Sequence, residues 1–293
     1  MLGKGADWFV EGAAGIAMRF GIPQLVIGLT IVAMGTSAPE AAVSIAATVK
    51  GNADITIGNI VGSNILNILV ILGLAASIVP IAVARSTVRI EIPFMIAVTA
   101  LLFYQGRDGS ISLADGGVLM VAFAVYMMYL YTMAMKSNVD SDLEEPGLPL
   151  GRCLLGAVGG LALIIAGSNV TVGAATSIAT YAGLSERFIG LTIVALGTSL
   201  PELFTSVAAA RRGNADIAIG NIVGSNIFNI LFVVGLSSLI IDIPFASAFN
   251  FDTYVALGAA VLLWLCVLRT QRLQRWAGAL MLVCYAAYLG YIL

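Results

Sequence analysis

The chain has 293 residues, 60% of them hydrophobic and 10% charged, with a net charge of −2 and a mean hydropathy of +1.01. That apolar excess excludes an ordinary soluble domain and indicates an integral membrane protein in contact with lipid, while the lack of any basic cluster excludes nucleic acid as a partner. Three cysteines (Cys153, Cys266, Cys284) and no histidine give no reason to expect a disulfide framework, a zinc or copper site or a cofactor.

In chain order, the opening MLGKGADWFVEG lacks the basic-then-apolar pattern of a cleavable signal. Apolar runs then predict helices at 5–20, 24–49, 56–80, 88–104 and 113–135, most of them near the roughly 20 residues that cross a bilayer. The run VLMVAFAVYMMYLYTMAM (118–135) is apolar on every face, which argues for helices over barrel strands. A polar stretch, KSNVDSDLEEPGLPL (136–150), reads as a solvated acidic tether and lacks the spaced Asp and Gly pattern of a calcium loop. Helices follow at 152–181, 186–210, 218–241, 251–268 and 274–292.

The two sets are copies. GLTIVAMGTSAPE (28–40) returns as GLTIVALGTSLPE (190–202), and GNADITIGNIVGSNILNI (51–68) as GNADIAIGNIVGSNIFNI (213–230), both at an offset of 162. Five spans per copy is an odd number, so the second copy enters the membrane in the opposite sense. The expected fold is an all-α membrane protein of ten transmembrane helices in two inverted five-helix repeats, 1–135 and 151–293, joined by the 136–150 linker. The second copy has LLGAVGGLALIIA where the first has only MLGKG, so the first helix is expected to be short by about ten residues. With alternating loops, Lys4, Lys50, Arg107 and Arg187 fall on one side. Arg19, Arg85, Arg89, Lys136, Arg152, Arg211, Arg212, Arg269, Arg272 and Arg275 fall on the other. The positive-inside rule then places the linker in the cytoplasm and both termini outside the inner membrane.

Intramembrane carboxylates mark function by default. Glu40 and Glu202, equivalent in the two copies, are the acidic residues that no helix end or loop accommodates. Inverted symmetry would bring them to one site at mid-membrane, where two carboxylates repel unless a cation or protons join them. Pro39 and Pro201 remove backbone donors, leave the carbonyls of Gly35 and Gly197 without their helical partners, and let Thr36 and Thr198 turn carbonyls toward a cavity. Ser63 and Asn67 share a helical face, mirrored by Ser225 and Asn229. The donors are oxygens, which select hard cations: two bidentate glutamates and two threonine carbonyls would give calcium six ligands and balance its charge. Sodium could share these oxygens, with Ser37, Ser199, Ser63 and Ser225 at the flanks.

The paired GTSxPE and GNIVGSN motifs resemble the α-repeats of the cation/calcium antiporter superfamily, most of all its prokaryotic sodium/calcium exchangers. The resemblance implies calcium ligation by Glu40, Glu202, Thr36 and Thr198. It also implies sodium ligation by Ala33, Ser37, Glu40, Ser63, Ala195, Ser199, Glu202 and Ser225, several sodium ions per calcium, and sliding of the first and sixth helices over a core of the second, third, seventh and eighth. In its potassium-dependent branch an aspartate stands where this chain has Asn229, which argues for potassium independence. The expected function is therefore sodium/calcium antiport with no protein partner evident; calcium/proton antiport is the alternative, since protons could also neutralise the glutamates. An intramembrane hydrolase would need acids poised over a water and a substrate gate, and a channel would not need a sealed symmetric site.

Overall fold

The computed structural model describes residues 1–136, 148–182 and 195–292, and helices dominate them. In hydrocarbon every backbone N–H and C=O must find its partner inside the segment, and helices achieve this. In chain order these are α1 (Leu2–Phe20), α2 (α2a, Gln24–Thr36, and α2b, Ala38–Val49), α3 (Ile55–Ile78), α4 (Thr87–Asp108), α5 (Leu113–Lys136) and α6 (Leu150–Tyr181). Then come α7 (α7a, Ala195–Thr198, and α7b, Leu200–Arg211), α8 (Ala215–Ile240), α9 (Ala248–Leu268) and α10 (Arg275–Ile292).

Seven of these are long and apolar enough to cross a membrane, and eight if the bent α2 counts as one span. The α1 helix carries Lys4, Asp7, Glu11 and Arg19 and is less apolar. At 19 residues against 32 in α6, it is also the shorter member of that pair, as expected from the unequal apolar runs. Residues 137–147 of the linker, and Arg187 with its neighbours, lie outside the described residues.

The α3 and α8 helices are the most enclosed, whereas α5 and α10 show most of their surface outward. Both α3 and α8 contain a π-helical turn in the same place, Asn67–Leu72 and Asn229–Val234, beginning three residues past the end of GNIVGSN. A π turn widens the helix by one residue and is frequent at functional sites. Close approach of α8 to α2 depends on Gly224, where an added Cβ would come within 2.8 Å of Leu29 and Ala33. Two short antiparallel pairings tie loops of one half to loops of the other. Ile81 opposes Leu273 and Ile111 opposes Ile243, and each pairing maps onto the other at the 162-residue offset.

The α1 and α6 helices form an antiparallel pair with a glycine seam. Gly5 meets Gly160, Gly12 meets Cys153 and Ala157, and Gly156 meets the Trp8 carbonyl. Without water to drive association, small residues let membrane helices gain contact by close backbone approach. Leu2 packs on Gly167, so α1 begins next to Ser168, the residue that reaches the break in α7.

Candidate functional site

Each proline-containing helix stops and restarts. Ser37 has φ −82°, ψ 5° and Ser199 has φ −89°, ψ 5°, out of helical register, and the following prolines lie in the first turns of α2b and α7b. At the first break the two segments diverge by 49°. Proline suits a first turn because its absent N–H would have no helical partner there. The break therefore creates a new helix N-terminus inside the protein, and Glu40 and Glu202 occupy its first turn. The positive end of the peptide dipoles favours a carboxylate there.

Both carboxylates are buried, each only 1% exposed, and they are cross-linked between the halves. The Ser37 hydroxyl donates to Glu202 Oε1 at 2.8 Å, and the Ser199 hydroxyl donates to Glu40 Oε1 at 3.2 Å. The second oxygens, Glu40 Oε2 and Glu202 Oε2, are buried without a hydrogen-bond partner. Among the described residues the ion pairs are those of Arg212 with Asp7 and Glu11, so no Lys or Arg balances the two glutamates.

A second layer holds this pair. Asn59 Nδ2 donates to Ser44 Oγ at 2.9 Å and to the Glu40 carbonyl at 3.3 Å; Asn221 Nδ2 does the same for Ser206 Oγ at 2.9 Å and the Glu202 carbonyl at 3.4 Å. The Thr36 hydroxyl donates to Asn221 Oδ1 at 2.9 Å, which joins α2 to α8. The α3 and α8 helices also share a buried asparagine tetrad. Asn67 Nδ2 donates to Asn226 Oδ1 at 2.9 Å and Asn229 Nδ2 to Asn64 Oδ1 at 3.1 Å, while Asn64 and Asn226 donate to each other's backbone carbonyls. This spends the amide N–H groups on protein and leaves Asn67 Oδ1 and Asn229 Oδ1 without partners. Four buried acceptor oxygens, two from carboxylates and two from amides, thus stand unpaired in a chemistry of oxygens. An unpaired buried acceptor costs about 1–3 kcal/mol, more when charged.

The other expected residues fall around this centre. Ser63 and Ser225 are buried, and the Ser225 hydroxyl reaches the Ala33 carbonyl at 3.4 Å. Thr36 is buried and Thr198 half-buried; the side chain of Ala195 is outside the described residues. Sequence reasoning passed over Asn59, Asn221, Ser44, Ser206, Asn64 and Asn226, although each recurs at the 162-residue offset and the repeat itself was the available signal. It also passed over Glu91, a third buried carboxylate, which accepts a hydrogen bond from the Tyr129 hydroxyl in the first turns of α4. Glu91 has Thr253 at the repeat offset, so no doubled motif flagged it.

A family described as sodium/calcium exchanger protein matches residues 1–132 and 153–293. The putative antiporter CaxA of Alkalimonas amylolytica is 40% identical over 97% of this chain and 92% of its own length. The sodium/calcium exchanger MaX1 of Methanosarcina acetivorans is 32% identical over 98% and 93%. A solved structure of the sodium-calcium exchanger NCX_Mj, soaked with zero Na+ and Ca2+, superposes with a TM-score of 0.87 at 34% identity and covers all of this chain and 95% of that one. Matched across both halves, the chain belongs to the sodium/calcium exchanger protein family, and it is a membrane antiporter of that family.

Proposed function

We propose that the chain exchanges sodium for calcium at one site shared by the two halves, with alternating access between two inverted five-helix repeats of a ten-helix protein. The observation that carries this reading is the pair of buried, cross-linked glutamates with unpartnered Oε2 atoms and, among the described residues, no ion pair to a protein cation. Two negative charges in a hard-oxygen cage match one calcium. Calcium would take Glu40 and Glu202 with the Thr36 and Thr198 carbonyls. Sodium would take the flanks built from Ser37, Ser63, Ser199 and Ser225 hydroxyls and the Ala33 and Ala195 carbonyls, and would share both glutamates. Because both ions need the same carboxylates, each displaces the other, which is the condition for exchange rather than leak. The neutral Asn67 and Asn229 add oxygens without charge, so nothing beyond two carboxylates awaits a further potassium ion. With three sodium ions per calcium the cycle moves net charge, and the membrane potential contributes about 2.3 kcal/mol per charge per 100 mV. The linker side is assigned to the cytoplasm and the protein to the inner membrane.

In vesicles of purified protein, an outward sodium gradient is expected to drive calcium uptake without potassium. Uptake that follows a pH gradient and ignores sodium would replace this reading with calcium/proton exchange.

A further inference from the structure

The α1–α6 pair is a compact unit that touches the breaks of both proline-containing helices, but in different ways. Against α2 the contact is apolar: Leu161 and Phe9 lie over Gly35. No hydrogen bond or ion pair among the described residues joins α1 or α6 to α2. Against α7 it is polar at two places. The buried Ser168 hydroxyl donates to the Gly197 carbonyl at 2.6 Å. This is the carbonyl four residues before Pro201, the one whose helical donor the proline removes. At the far end of α7b, Arg212 donates to Asp7 at 3.1 Å and Glu11 at 3.2 Å on α1.

The repeat makes this arrangement one-sided. At the 162-residue offset Ser168 corresponds to Ala6, and Gly197 to Gly35. Ala6 has no hydroxyl, so the mirror-image contact at Gly35 cannot form however the unit moves. We propose that Ser168 is a positioning residue: with the Arg212 ion pairs it fastens the α1–α6 unit to α7 and biases the transporter toward the access state that contains this contact. The inference rests on the alternating-access reading above. The glycine seam keeps the unit rigid, so a shift relative to the core must break the Ser168 bond and has no equivalent bond to form. The Arg212 pairs are half-exposed and act more weakly, as screened surface pairs do.

The test measures apparent calcium affinity separately at the two faces of vesicles carrying protein in one orientation. An affinity read from one face scales with the fraction of protein open to it, so the ratio of the two follows the balance of states. Ser168→Ala is expected to shift that ratio about three- to tenfold, the scale of one buried hydrogen bond. Ser168→Thr, which keeps a hydroxyl, should restore it. Arg212→Gln should shift it less and in the same direction, with an effect that fades at high salt. An unchanged ratio in Ser168→Ala, or an equal shift in Ser168→Thr, would overturn the fastening. A variant that merely folds poorly lowers the amount of active protein and leaves the ratio alone. If wild-type vesicles show no sodium-driven calcium uptake, the antiport reading fails; if they exchange normally and Ser168→Ala leaves the ratio unchanged, only the fastening fails.

Discussion

Calcium uptake is expected to fall at least about 30-fold, and up to thousands-fold, when either Glu40 or Glu202 is replaced by glutamine. The range corresponds to the roughly 2–5 kcal/mol lost when one member of a buried, hydrogen-bonded charge pair is removed. Glutamine keeps the shape and can still accept the bond from Ser199 or Ser37, so the cage survives in outline. What it loses is one of two negative charges facing a doubly charged ion. Because the halves are cross-linked reciprocally, the two variants should fail alike. Measured uptake and calcium binding check this together, and retention of transport by either variant would refute a site built on both.

Gly12→Ala is expected to give the largest loss of stability of any small substitution in α1. The new methyl would sit 2.4 Å from the Ala157 nitrogen and 2.5 Å from the Cys153 carbonyl oxygen, both backbone atoms of α6. Flexible side chains can rotate away from an intruder, but two helix backbones must separate. Overpacking costs about 1–3 kcal/mol where side chains adjust, and a rigid seam places this variant at or above the top of that range. Thermal unfolding in detergent should show a clear drop in midpoint and loss of the α1–α6 pairing. Gly159→Ala, on the partner helix α6 and with no atom within 4 Å of its added methyl, should unfold like wild type. Equal midpoints for the two would show that the seam does not hold the pair together.

Much of the centre was legible from the chain alone because the same chemistry is written twice. GTSAPE and GTSLPE placed Ser37, Ser199, Glu40 and Glu202, and the structure brings these four into reciprocal contact. The stop and restart of α2 was also legible, since Pro39 lacks the donor a continuous helix needs. What repetition could not reveal is which donors reach across. Asn59 and Asn221 stand in the quoted motif, yet only packing of α3 on α2b and α8 on α7b shows that they hold the glutamate backbone. Ser168 has Ala6 and Glu91 has Thr253 at the repeat offset, so neither carries a doubled signal. The π turns that begin at Asn67 and Asn229 were invisible too, because a one-residue widening leaves the apolar pattern almost unchanged.

In the proposed exchange, one pair of carboxylates serves calcium or sodium, never both at once. Calcium binding to the purified protein, titrated at a series of sodium concentrations without a membrane gradient, tests it most directly. One calcium per chain is expected, with an apparent dissociation constant that rises with sodium more steeply than first order, because several sodium ions must leave to admit it. Calcium affinity that is independent of sodium, or calcium and sodium bound together at saturation, would contradict it.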